Sequence, residues 1–122
     1  MKGKVNADRE AVVRIRVLGR GKSRRTVNAV VDTGYTGSLS LPPRTVRSLG
    51  MRLLGKRRAE LADGRVVTFD VFAGSVIWNG RPVALEIDES PCDPLIGMKL
   101  LEGSELNIRV KKNGPVSIRP LP

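Results

Sequence analysis

Asp32-Thr33-Gly34 sets a carboxylate where an apolar run, Ala29-Val30-Val31, enters a glycine turn that leaves through Tyr35-Thr36-Gly37-Ser38-Leu39-Ser40-Leu41-Pro42. A carboxylate at a strand end is placed for proton transfer rather than for packing. Asp and Gly also favour ordinary surface turns, so the bland alternative is a strand-end Asx turn. The flanks argue against it: a strand that delivers Asp, and a second apolar stretch beyond two glycines, describe a loop held on both sides by a sheet. Histidine is absent, which removes Ser-His and Cys-His nucleophile pairs and the commonest metal ligand. Proton transfers therefore fall to carboxylates or lysines. Asp70, Asp88 and Asp93 supply further acid, but without histidine or a compact carboxylate cluster they imply no metal. Cys92 is the sole cysteine; it excludes an internal disulfide and reads as a small apolar filler.

The elements that must position Asp32 are short and strand-like. Val13, Ile15 and Val17 alternate with Arg14 and Arg16, the period of a strand with one buried face. Gly19 to Arg25 reads as a basic hairpin loop, after which Val27, Ala29 and Val31 resume the alternation. Leu39 and Leu41 form another strand, stopped by Pro42-Pro43 because proline cannot donate to a ladder. Arg44 to Leu49 reads as a short helix, with Pro43 at its first position and Gly50 beyond its end. Strand character returns from Arg57. Ala62-Asp63-Gly64-Arg65 favours a tight hairpin leading into Val66 to Phe72. Asn79-Gly80 joins Ser75–Trp78 to Val83–Ile87, and Asp93-Pro94 breaks the chain before Leu95-Ile96-Gly97. Leu106, Ile108 and Val110 then alternate up to a last turn at Asn113-Gly114, and Val116 and Ile118 close the chain. Phe72 and Trp78 are expected in the core. The fold expected is mostly β, a closed barrel with one or two short helices, in a single domain over residues 1–122.

Lys and Arg number 22 against 12 Asp and Glu, a formal net charge of +10, so acidic partners are attracted electrostatically. Arg20, Lys22, Arg24 and Arg25 crowd one loop, and Lys56, Arg57 and Arg58 another. A basic β barrel that binds nucleic acid through phosphates is therefore an alternative reading. Its weakness is stacking: one Trp, one Tyr and two Phe are too few to carry bases, which leaves attraction to nucleic acid incidental. Met1 to Glu10 has no apolar core of signal-peptide length, and no run approaches the roughly 18 apolar residues that span a bilayer. A soluble, cytoplasmic chain with no membrane partner is expected.

The order strand, Asp-Thr-Gly loop, helix, Asp-Gly hairpin, then Leu95-Ile96-Gly97 before a helical turn resembles the retropepsin-like aspartic proteases, from about Val12 to Ile118. It looks closest to small prokaryotic members whose motif continues with an aromatic, here Tyr35. The resemblance implies a closed acid-protease barrel and an aspartic endopeptidase acting on peptide or protein substrates, with no cofactor and no metal. It implies Asp32 as the catalytic carboxylate, Thr33 as a brace at the dimer axis and Gly34 as the tight turn beside the carboxylate. Ala62, Asp63 and Gly64 become the tip of a substrate-covering flap, with Tyr35 beside the substrate. Leu95, Ile96 and Gly97 support the catalytic loop.

Peptide hydrolysis needs a base for water and an acid for the carbonyl oxygen and leaving nitrogen. Two carboxylates about 3 Å apart cannot both ionise, an effect for which aspartic-protease dyads are the standing example. With one Asp-Thr-Gly in the chain, the second carboxylate is Asp32 of another subunit, and a two-fold homodimer supplies it. Val5 to Val12 and Ser117 to Leu121 are the expected interchain strands. The family mostly places Ser or Ala where this chain has Tyr35, whose larger side chain redirects that contact. A catalytically silent dimerisation domain of the same fold is the reading that follows from this departure.

Overall fold

The computed structural model describes residues 1–122. Its elements, in order, are β1 (Lys2–Val5), β2 (Ala11–Leu18), β3 (Arg24–Val31), β4 (Leu39–Leu41), α1 (Pro43–Ser48), β5 (Arg52–Glu60), β6 (Val66–Trp78), β7 (Arg81–Glu89), β8 (Leu95–Ile96), α2 (Met98–Leu101), β9 (Ser104–Ile108) and β10 (Pro115–Pro120). All strands join one sheet in the order β5-β6-β7-β4-β8-β3-β2-β1-β10-β9, and a further pairing of β6 with β2 curls it into a barrel. That closure occurs where Val17 faces Val76 and Leu18 faces Ser75.

Alternation produces this barrel directly. Val13, Ile15 and Val17 turn inward and are buried while Arg14 and Arg16 stay exposed. They meet Val27 and Ala29 of β3, Leu39 and Leu41 of β4, Ile87, Ile96, Val116 and Ile118 in one core cluster. α1 begins at Pro43, the first position expected for it, where the missing N–H costs nothing in a first turn. It buries Val46 and Leu49 against the same core. Trp78 is buried there too, with Phe72 packed at its edge. No helix is long and apolar enough to cross a membrane.

Four local expectations change. Val66 to Trp78 is one continuous strand, because Gly74 allows Ile87 to pack where a side chain would collide: a Cβ there would lie 2.5 Å from Ile87 Cδ1. β5 starts at Arg52, ahead of the expected Arg57, and passes through an irregularity between Leu53 and Gly55. Cys92 is exposed rather than a core filler, since the Pro91–Asp93 bend lies outside the sheet. The terminal segments pair within the chain: β1 lies between β2 and β10, with Gly3 opposite both Val13 and Val116. Val5 to Val12 is therefore no continuous strand. Asn6 Oδ1 turns the chain there by accepting hydrogen bonds from the amides of Asp8 at 3.0 Å and Glu10 at 2.9 Å.

Candidate active site

β3 delivers Asp32 to the middle of the sheet. There β3 runs parallel to β8, Val30 opposite Leu95 and Val31 opposite Ile96, and the Asp32 amide donates to Ile96 O at 2.9 Å. The loop then closes on its own acid: Gly34 N donates to Asp32 Oδ1 at 2.9 Å, and Tyr35 N to Asp32 O at 3.1 Å. The carboxylate is half-buried, and its Oδ2 has no hydrogen-bond partner within the chain. Leu95-Ile96-Gly97 runs beside this loop. Gly97 N donates to Ser38 O at 2.9 Å, Met98 N to Tyr35 O at 2.8 Å and Lys99 N to Gly37 O at 3.1 Å. Every backbone group so engaged leaves the loop one less way to move.

Asp32 lines a cleft of ≈ 820 Å³ with Tyr35, Ser40 and Leu95 on the sheet side and Arg57, Leu61 and Phe69 from the β5–β6 hairpin on the other. The hairpin arms face the cleft, whereas Ala62, Asp63 and Gly64 at its tip are exposed and absent from the lining. The tip is a tight turn in which Gly64 takes a φ of +86° and donates to Leu61 O at 2.9 Å. Asp63 holds the turn by accepting from the Arg65 amide at 3.0 Å and from Arg65 Nε at 2.6 Å. Those two bonds, the backbone one first, keep the exposed Asp63 carboxyl below its ordinary range. Across the arms, Lys56 Nζ lies 2.7 Å from Asp70 Oδ1, and that hydrogen bond raises the ammonium's pKa. Thr33 faces elsewhere. It is exposed and, with Thr36, Met98, Leu101 and Leu106, lines a second groove of ≈ 680 Å³ outside the cleft.

Tyr35 is seated by a residue that alternation conceals. Its hydroxyl donates to Asp88 Oδ2 at 2.5 Å, and Arg57 Nη1 donates to Asp88 Oδ1 at 3.2 Å; Arg57 also pairs with Glu86. The aromatic of the Asp32 loop, a buried acid on β7 and an arginine of the hairpin arm thus form one chain of contacts. Burial first, then the hydrogen bond to Asp88 and its negative charge, push the Tyr35 phenol well above its ordinary value of 10.0. In sequence Asp88 follows Ile87 in a strand that alternates, which assigns it to the wet face. Both are buried because β4 and β6 flank β7 at that level, with Ser40 opposite Asp88 on one side and Val71 on the other. Ser40 Oγ is buried without a partner and lines the cleft.

Tyr35→Phe should leave Asp88 with one partner fewer and cost about 1–3 kcal/mol in urea unfolding. The pH dependence has a definite sign. A phenol that ionises later in the folded than in the unfolded chain stabilises the fold fully below its ordinary pKa of 10.0 and loses that contribution as pH rises above it. Wild type should therefore lose stability more steeply than Tyr35→Phe in alkaline solution. Parallel curves would remove Tyr35 as the cause.

No protein-family model matches the chain, and no curated protein is similar to it in sequence. Solved structures are similar in fold. EIAV protease complexed with the inhibitor HBY-793 superposes with a TM-score of 0.63 at 14% identity, covering 80% of this chain and 89% of that one. A retropepsin-like aspartic protease from Rickettsia conorii gives 0.60 at 18% identity over 100% of this chain and 91% of the other. Simian foamy virus (mac) protease gives 0.50 at 19% identity over 73% and 91%. At such identities the likeness is one of architecture: the chain has the retropepsin fold.

Proposed function

We propose that two copies of this chain form an aspartic endopeptidase, each contributing Asp32 to one dyad. The observation that carries this reading is the placement of Asp32 in a retropepsin fold. One carboxylate oxygen is tied to Gly34 N at 2.9 Å, while the acid borders a cleft of ≈ 820 Å³ covered by a β-hairpin. An extended peptide lies in that cleft between the loop and the hairpin arms. The unprotonated Asp32 takes a proton from water as the water oxygen attacks the scissile carbonyl carbon; the protonated Asp32 gives its proton to the carbonyl oxygen. The tetrahedral adduct then collapses as a proton passes to the leaving nitrogen. Two like charges so close leave one shared proton between them, which lets identical residues take opposite parts.

Gly34 permits the close approach of its amide to the carboxylate, and Thr33, exposed in the single chain, is available to brace the partner loop. Cofactor and metal have no part in this chemistry. The Arg57–Asp88–Tyr35 contacts hold the hairpin arm to the loop while peptide is bound.

Incubation with a diverse peptide library from acidic to neutral pH, read by mass spectrometry, tests the reading. Discrete cleavages are expected, and their rate per mole of chain should fall on dilution because a separated subunit holds half a site. An absence of cleavage at concentrations where the chain is dimeric would overturn it.

A further inference from the structure

We propose that the outer face of the β1–β2–β3 sheet binds the phosphate backbone of a nucleic-acid duplex, outside the cleft. Between Glu10 and Glu60 the chain has twelve Lys and Arg and one acid, Asp32, and alternation decides where part of that charge goes. Val13, Ile15 and Val17 enter the core, so Arg14 and Arg16 stand on the outside of β2. Strand pairing extends this face on both sides. On β1, Gly3 lies opposite Val13 and Lys4 opposite Val12, which carries Lys2 and Lys4 outward beside Arg14. On β3, Asn28 lies opposite Arg14, Thr26 opposite Arg16 and Arg24 opposite Leu18. The five cations, Thr26 and Asn28 are all exposed, and none of them lines the cleft.

Nothing within the chain neutralises this face. The ion pairs engage Lys56, Arg57, Arg65 and Arg119, and none of the five cations is among them. The register sets Lys2 level with Arg14 and Arg24 diagonal to Arg16, an arrangement that costs stability until an anion comes between the charges. Arginine meets a phosphate with two parallel N–H donors, and Thr and Asn side chains donate to phosphate oxygens as well. Alternate residues of a strand lie about 6.8 Å apart, so the ladder presents these donors as a fixed array.

What the face lacks identifies the polyanion. None of the exposed large apolar side chains lies on β1, β2 or β3, so the face has neither the apolar side chains that enter a lipid surface nor the apolar centre of a protein interface. It has no aromatic either: Tyr35 and Phe69 line the cleft, Trp78 is in the core and Phe72 packs against it. Without a platform for unstacked bases, the fit is to a duplex, whose bases stay stacked and whose phosphates are met as charge and not as sequence. The inference is independent of Asp32 and holds whether or not the cleft cuts peptides.

Fluorescence anisotropy of the intact chain with a short labelled DNA duplex of arbitrary sequence, from about 50 to 200 mM salt, tests it. Five phosphate contacts give a slope of log affinity against log salt of about −4.5, a loss of about 500-fold over that range. Arg14→Gln with Arg16→Gln should weaken binding at the lowest salt at least about tenfold and bring the slope to about −2.7. That variant should melt no lower than wild type, because it relieves like charges. If it fails to fold, Lys2→Gln with Lys4→Gln removes two charges from the same face and should give the same shift in slope. Arg58→Gln with Arg65→Gln, on the β5–β6 hairpin, removes equal charge elsewhere and should leave the slope unchanged. An equal loss in the hairpin variant would assign the attraction to net charge and overturn the proposal. A single strand bound more tightly than the duplex, tighter binding to vesicles containing phosphatidylglycerol than to the duplex, or no binding of duplex by wild type at the lowest salt would each overturn it as well.

Discussion

Asp32→Asn is expected to reduce peptide cleavage by about 10²–10⁴-fold or more, the range in which positioned acid–base groups contribute. The loss should be this large because, on the proposed reading, one substitution in the gene changes both carboxylates of the site. Neither Asn can take a proton from water or give one to the carbonyl oxygen. The fold has no reason to change: the side chain keeps its shape, and its carbonyl oxygen still accepts from Gly34 N, the one hydrogen bond that Oδ1 makes within the chain. Melting temperature and dimer affinity should therefore stay near wild type while kcat/KM collapses. Mixed with wild type, the variant should act dominantly, since a heterodimer holds one Asp and cannot share a proton across the axis. Activity should then fall more steeply than the share of wild-type chains. A cleanly prepared variant that still cuts would show that the hydrolysis belongs to other residues or to a contaminant.

The parts of this molecule that are legible in its sequence are those governed by short-range rules. Alternation marks β2 and β3, proline and glycine bracket α1, and Asp-Gly and Asn-Gly mark three hairpin turns, because side-chain period and turn geometry are decided within a few residues. The strand-end position of Asp32 follows from the same rules. What escapes them depends on which strands become neighbours. Asp88 looks solvent-facing until β4 and β6 enclose β7, and only then does it become the buried acceptor for Tyr35 and Arg57. The chain ends looked free to pair with another subunit, yet β1 and β10 satisfy each other, a long-range choice no local pattern encodes. Cys92 is small and apolar enough for a core, but the bend between Pro91 and Pro94 carries it outside.

Gly97→Ala is expected to destabilise the fold far more than Gly34→Ala, although both glycines border the same loop. Gly97 has a φ of −105°, which any residue adopts, so the requirement is one of space. An added Cβ would fall 2.1 Å from Gly37 O, 2.6 Å from Tyr35 Cδ2 and 2.8 Å from Tyr35 O. The two oxygens are the acceptors for Lys99 N and Met98 N. Relief requires the loop to move away from the start of α2, which weakens those hydrogen bonds and lifts Tyr35 from Asp88. Overpacking costs about 1–3 kcal/mol, and a buried group that loses its partner costs about 1–3 kcal/mol more. The expected loss in urea unfolding is thus on the order of 3 kcal/mol. At Gly34 the new Cβ would meet only Asp32 Oδ1, at 3.3 Å, a contact that a few tenths of an ångström relieves. Its effect on stability should be within about 1 kcal/mol, while its effect on cleavage should be large, because the displaced atom is the carboxylate itself. Equal stabilities for the two variants would mean that the loop slides freely over the β8–α2 junction. Asp32 would then not be held at the fixed height that a dyad across a two-fold axis demands.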